Sequence, residues 1–292
     1  MRKLSNFVAI LGVAVIFSCP TVAQQNAGRR SDPQYAYGTP GLSPGAWPLT
    51  ELPDGEMLKT KSFDPHDLTS TGVWQITRGS YSYYGVTYSE SLPRLTPEGK
   101  AKLDAAKPSY GSRAVFPGLG NDPISTCDPL GYPRVTFTLG FESQFEFIQA
   151  SDGRRMLMHT QYHDNWRTIW TDGRPLPQDP APAWNGYAVG KWEGDTFVIE
   201  STGYDDRTWL DHFGDPHSDQ MQIEERWHRV DPDTLELALT ITDPKIYTKP
   251  WVSDKKVFKL SKEEMYEELC VPSEEEHFNE KIRDVAVGKA SP

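Results

Sequence analysis

The chain has 292 residues, with 30 Lys and Arg against 41 Asp and Glu and a formal net charge of −11. That balance excludes the basic footprint that nucleic acid or an anionic membrane demands of a partner. It is compatible with neutral, cationic or aromatic ligands.

Arg2 and Lys3 form a basic n-region, Phe7 to Phe17 an eleven-residue apolar h-region, and Thr21-Val22-Ala23 a small-residue cleavage site. These are the parts of a secretory signal peptide, too short to anchor the chain in a membrane. Cleavage is expected after Ala23, which sends the protein to the periplasm or outside the cell. The rival is lipoprotein processing at Cys19, for which Phe17 is bulky. No later apolar run approaches membrane length, so no membrane insertion is expected. Cutting 23 of the 292 residues leaves 269, enough for one large domain, with 28 basic against 41 acidic side chains and a net charge of −13. Two cysteines remain, Cys127 and Cys270. In an oxidising compartment they are expected to pair, closing a long loop whose constraint is worth roughly 4–5 kcal/mol at most.

Residues 24–65 are rich in Pro, Gly, Ser and Gln and have neither hydrophobic period, which predicts an extended arm. A single β domain is expected over 66–260. A strand-like run opens at Gly72-Val73-Trp74, and an aromatic run follows from Tyr81 to Tyr88. Thr96-Pro97-Glu98 is a helix start, with Thr96 as the cap and Pro97 in the first helical position; the helix is expected over about 96–107, stopping before Pro108. Residues 108–134 read as an irregular loop carrying Cys127.

From Phe141 to Leu260 short strands alternate with turns: FEFIQ, Asp152-Gly153, MLMHTQYH; NWRTIW, Asp172-Gly173; AVGKW, Glu193-Gly194-Asp195, TFVIES; QIEERWHRV, Asp231-Pro232-Asp233, TLELALTI. That order describes an antiparallel meander, and one this long closes or folds over into a barrel or sandwich. The prolines between Pro175 and Pro182 predict a rigid exposed connection, and Tyr204–Gln220 a long polar loop of the kind that carries function. After Leu260, residues 261–292 read as an acidic helical tail, with Ser261 and Ser273 as caps and the charge run as a solvated face.

Several stretches carry a resemblance: LTPEGKAKLDAAKPSYG, NDPISTCDPLGYPR, IWTDGR, WNGYAVGKWEGDTFVIESTGYDDRTWLDHFGDPHSD and DPKIYTKPW. Over about residues 60–284 the chain resembles a widespread group of secreted bacterial proteins. That resemblance implies no activity and no catalytic residues. Separately, Gly72-Val73-Trp74 is similar to the G-x-W of the first strand of lipocalins, which implies a calycin-like, lipocalin-like barrel. The long stretch between that strand and the meander departs from a plain lipocalin.

Alternation decides which side chains share a face of a strand. If 156–163 is one strand, Met156, Met158, Thr160 and Tyr162 share one face, and Leu157, His159, Gln161 and His163 the other. His159 and His163 would then stand roughly 13 Å apart, too far to share a metal ion. Trp166 and Trp170 lie opposite Arg167. Turned inward, the tryptophans line a cavity; turned outward, they leave Arg167 as an internal charge that needs a buried carboxylate, Glu146 or Glu225. Glu225 shares a face with Met221, Ile223 and Trp227, where a carboxylate is half of an ion pair or a proton-transfer group. In the 204–220 loop Asp211, His212 and His217 are the metal candidates, although Asx turns explain its aspartates equally, and no metal or other cofactor is expected. No phosphate loop, dinucleotide fingerprint, H-E-x-x-H or C-x-x-C occurs.

The expected protein is an exported β-barrel that binds a small apolar or aromatic molecule through Tyr162, Trp166, Trp170 and Trp227. Glu146, His163, Arg167 and Glu225 are its polar anchors. If it turns a substrate over, they form an acid–base set for cofactor-independent isomerase, decarboxylase or lyase chemistry: a glutamate base, Arg167 as anion stabiliser and His163 as proton shuttle. One alternative is a carbohydrate-binding or carbohydrate-active β-sandwich with Glu146 and Glu225 as its carboxylate pair. The other is a structural or interaction module using the acidic tail and the proline arm.

Overall fold

A computed structural model of the chain describes residues 63–69, 72–77, 92–136, 144–261 and 264–288. The expected signal peptide, most of the expected arm and the Tyr81–Tyr88 run lie outside the described residues. The strands are β1 (Trp74–Ile76), β2 (Gln144–Gln149), β3 (Arg155–Thr160), β4 (Asn165–Trp170), β5 (Tyr187–Glu193), β6 (Thr196–Thr202), β7 (Gln222–Asp231), β8 (Thr234–Thr242), β9 (Trp251–Val252) and β10 (Lys256–Leu260). From β1 to β9 each pairs with a neighbour in ring order, and β10 pairs with both β8 and β1. β9 and β10 lie on one edge of β8, matching Thr240 to Val252 and Leu237 to Lys256 with a one-residue slip in register. They are two halves of a single strand broken at Ser253–Lys255 by a bulge. The sheet is therefore a closed ring of nine strands.

The expected barrel is present, with one correction to the meander. An all-antiparallel ring needs an even number of strands, so a ring of nine must contain a parallel pair. It is β4 with β5, joined at Ile169↔Ala188 and Trp170↔Val189. A parallel pair cannot be closed by a tight turn. The proline-rich connection from Thr171 to Gly186 is the crossover.

Period-two alternation sets the inside of the barrel. β3 buries Met156, Met158 and Thr160, β4 buries Arg167 and Ile169, and β7 buries Ile223, Glu225, Trp227 and Arg229. Phe145, Phe147, Trp227 and Phe258 meet in the middle with ring centroids 5.0–5.6 Å apart, mostly edge to face. Such aromatic pairs add about 0.5–1.5 kcal/mol each beyond the area they bury. Gly190 on β5 lets the wall close on Phe197, whose ring would stand 2.5 Å from a Cβ there.

Helix α1 (Pro97–Ala105) starts as expected, with the Thr96 side chain accepting from Gly99 N at 3.1 Å. The acidic tail is corrected in two places. Glu264–Val271 is not helical, because Glu268 pairs with Tyr162 and Cys270 is bonded to Cys127. Tertiary pairing overrides helix propensity there. Helix α2 (Pro272–Phe278) begins after Val271, which offers no capping side chain, so Ser273 lies inside the helix; a π turn (Asn279–Arg283) leads into α3 (Asp284–Ala286). Among the described residues no helix is long and apolar enough to cross a membrane.

The two rims differ. One carries the short turns β2–β3, β5–β6 and β7–β8. The other, the loop end, carries the β1–β2, β6–β7 and β8–β9 connections and the β3–β4 turn. Long connections gathered on one rim of a rigid barrel are where binding residues concentrate.

Candidate functional site

Near the loop end the inside of the barrel turns polar. Arg167 is the first buried residue of β4. Its Nη2 donates to Glu225 Oε1 from β7 at 2.7 Å and to Ser201 Oγ from β6 at 3.1 Å. Glu225 Oε2 accepts from the Tyr132 hydroxyl at 2.5 Å and from Trp227 Nε1 at 3.0 Å. Ser201 Oγ and the Tyr204 hydroxyl are 2.5 Å apart. The Tyr132 ring lies over the guanidinium, with Cζ 3.6 Å from its centroid. Tyr132 is placed by Gly131, at φ +71, where a Cβ would stand 2.9 Å from the Trp184 carbonyl that accepts the Tyr132 N–H at 3.0 Å.

All these side chains are buried. Burial and then the Glu225 charge push the Tyr132 phenol well above its ordinary range, and burial lifts Tyr204 to about 12. Both are therefore protonated donors at neutral pH. Burial opposes the charge on Arg167, but the Glu225 charge and its hydrogen bond hold the guanidinium charged. Both Glu225 oxygens are engaged by donors, as suits a fixed counter-charge. Arg167 is less complete: its buried Nε and Nη1 have no hydrogen-bond partner among the described residues. Unpaired buried donors are uncommon enough to need an explanation.

A second polar layer roofs this one. Arg134, two residues after Tyr132 and also buried, grips Asp122 with Nη1 at 2.9 Å and Nη2 at 2.6 Å, and Nη2 lies 3.0 Å from His212 Nδ1. A guanidinium only donates, so His212 Nδ1 accepts and the neutral ring carries its proton on Nε2. Burial and then the Arg134 charge hold the His212 pKa down at about 3. Asp215, buried beside Asp211, is pushed well up by burial and then by the Asp211 charge. His217 is buried against Thr208 Oγ1 at 2.7 Å, and Ser218 is tied to Asp243 by N at 2.6 Å and Oγ at 2.8 Å. The 204–220 loop is thus tied within itself and to Asp243 after β8. Among the described residues no group of three or more His, Cys, Asp or Glu could hold a metal ion, Asp211, His212 and His217 included.

The expected acid–base set divides. Trp166 and Trp170 face outward, so Arg167 is the internal charge and Glu225 its partner. Glu146 sits on the outer face, 3.2 Å from His159 Nδ1. Glu146 and Glu225 lie on opposite sides of the barrel wall and cannot flank one glycosidic bond. β3 ends at Thr160, so the face assignment beyond it does not hold: His163 and Asp164, at φ 60 and 46, form the turn to β4. His163 there stacks on Tyr162 with centroids 4.2 Å apart, and its backbone N donates to Glu268 O at 2.7 Å. Trp227 is inside, at the ion pair; Trp170 is packed on the outside by Arg174, 3.5 Å from its ring. Cys127 and Cys270 form the expected disulfide, with their Cα atoms 5.5 Å apart.

Ser201 shares the inward face of β6 with Phe197 and Ile199, so alternation could have marked it. Tyr132, Arg134 and Asp122 come from an aperiodic loop that offers no such signal, and Tyr204 from the loop after β6. No known protein family, curated protein or solved structure matches the chain.

Proposed function

We propose that the protein is an exported binding protein, periplasmic or secreted, which holds a small aromatic or apolar molecule at the loop end of its barrel with Arg167 as the polar anchor. The observation that carries this reading is the buried guanidinium, whose Nε and Nη1 are unpartnered among the described residues while Nη2 is fully used. The neighbouring side chains suit an aromatic or apolar body: Met158, directly opposite Arg167 on β3, and Phe147 beyond it are apolar, and Tyr132 and Trp227 are aromatic. Binding is favoured over proton transfer because both Glu225 oxygens are engaged, while Glu146 and His163 stand elsewhere. The disulfide and the leader-like N-terminus support export. The likeness of Gly72-Val73-Trp74 to the lipocalin first strand is in keeping with a ligand-holding barrel.

Trp227 donates to Glu225, so the part of the quenching of the nine tryptophans that Trp227→Phe removes reports on the site. The mature protein is titrated with a panel of aromatic ketones, aldehydes and phenols, and with oligosaccharides. Saturable quenching by aromatics, lost in the charge-free double variant Arg167→Met/Glu225→Gln, is expected. Equal binding by that variant would remove Arg167 from the site.

Sugar binding rests on a different surface. Glu146, His159 and Trp166 stand directly opposite one another across β2, β3 and β4 on the outer face, with Trp166 48% exposed and stacked on His159. Oligosaccharide quenching that disappears in Trp166→Ala would select this reading instead.

A further inference from the structure

The neighbours of Arg167 narrow the ligand to a chemical class; this inference rests on the reading of Arg167 as the ligand anchor. Inside the barrel the guanidinium is already neutralised by Glu225 at 2.7 Å. Among the described residues the other polar groups around it carry no charge: Ser201 from β6, and Tyr132 and Tyr204 from the loops, both phenols held protonated by burial. Met158 and Ile169 flank it on the wall, and Leu239 stands opposite Glu225. The site therefore offers hydrogen-bond donors without net positive charge.

A carboxylate brought to Nη1 or Nε would share one guanidinium with Glu225. It would be the second anion beside a single cation, in surroundings that strip its water. Burying an uncompensated charge is far less favourable than one charge-assisted hydrogen bond is favourable. An uncharged oxygen takes the same N–H groups without that penalty. The chain's net charge of −11 adds a repulsive field against anions approaching from solution. We infer that the ligand's anchoring group is a neutral oxygen acceptor, a carbonyl or its equivalent, on an aromatic or apolar body, and that the Glu225 carboxylate excludes the corresponding acids. Glu225 is in this sense a specificity residue acting through Arg167, by repulsion of the wrong ligand as much as by support of the right one.

The test uses a matched pair of probes on the mature protein, 4-hydroxyacetophenone and 4-hydroxybenzoate, followed by Trp227 fluorescence or calorimetry. The ketone is expected to bind at least tenfold more tightly than the carboxylate at pH 7. Between pH 7 and 5 the apparent affinity for the acid should rise about tenfold per unit, because only its neutral form binds and a carboxyl group titrates near 4.3. Ketone affinity should stay flat over that range. Glu225→Gln, which leaves Arg167 without a counter-charge, should lose or reverse the preference. If that variant does not fold, the pH series on the wild type decides. Carboxylate binding equal to ketone binding at pH 7, or independent of pH, overturns the inference while leaving Arg167 as an anchor. Binding of neither probe, together with no response across the aromatic panel, overturns the binding reading and this inference with it.

Discussion

Arg167 on β4 and Glu225 on β7 meet at 2.7 Å inside the barrel, although β5 and β6 separate their strands in the ring. Breaking a buried ion pair from one side leaves the other charge stranded and costs about 3–5 kcal/mol, whereas removing both charges is close to neutral. Arg167→Met alone should lower stability by about that amount. Arg167→Met/Glu225→Gln should recover most of it. Urea unfolding followed by circular dichroism measures both, and additive losses would show that the two side chains do not act as a unit.

Tyr132→Phe keeps the ring over Arg167 and removes only the hydroxyl that donates to Glu225. A buried hydrogen bond to a charged acceptor contributes about 1.5–3 kcal/mol. A loss in that range is expected by the same unfolding measurement. No loss would mean that the carboxylate is satisfied without Tyr132.

The roof gives stability two opposite pH dependences. His212, held near pKa 3, and His217, also depressed, stay neutral in the folded protein while the unfolded chain takes up protons below about 6.5. Their contribution is present above that pH and is lost as pH falls towards the folded values. Asp215 behaves the other way. Its raised folded pKa means that its contribution is complete below about 3.9 and is lost as pH rises through the folded value. Asp215→Asn should therefore stabilise the protein at neutral pH, with the advantage vanishing in acid. His212→Gln, whose amide oxygen can accept from Arg134, should flatten the acid limb. Unfolding midpoints from pH 4 to 8 test both signs.

Between Glu264 and Gly288 no side chain is buried, and the segment is held by the disulfide and by bonds such as His163 N to Glu268 O at 2.7 Å and Arg283 Nη1 to Ser125 Oγ at 2.6 Å. With so little apolar burial, the covalent link should dominate its attachment. In Cys127→Ser/Cys270→Ser the amides of this segment should exchange at nearly unprotected rates under native conditions, while those of β7 and β8 stay protected. Hydrogen exchange read by mass spectrometry checks this, and unchanged protection of the segment would contradict it.

The barrel was legible in the sequence because its signals are local. Turn pairs such as Asp152-Gly153 and the alternation in QIEERWHRV fix strands and faces residue by residue, and Cys127 with Cys270 fixed the covalent link. The parallel β4–β5 pair was not, because parity around a closed ring belongs to the whole sheet. β9 and β10 are short and broken by a bulge, which hides their period. At the site, alternation placed Arg167 and Glu225 on inward faces once the tryptophans were known to point out. Tyr132 and Arg134 escaped it because an aperiodic loop has no face to assign. His163 was misplaced for a related reason: the strand-like run MLMHTQYH continues past the turn that the positive φ of His163 and Asp164 imposes.

The central claim is that the buried Arg167 guanidinium anchors a ligand at the loop end. A crystal structure of the protein soaked with 4-hydroxyacetophenone tests it most directly. The predicted result places the carbonyl oxygen within hydrogen-bonding distance of Arg167 Nη1 or Nε, with the ring against Met158 and Tyr132. A probe bound only on the outer face beside Trp166, or an interior closed around Arg167 with no probe in it, would contradict the claim.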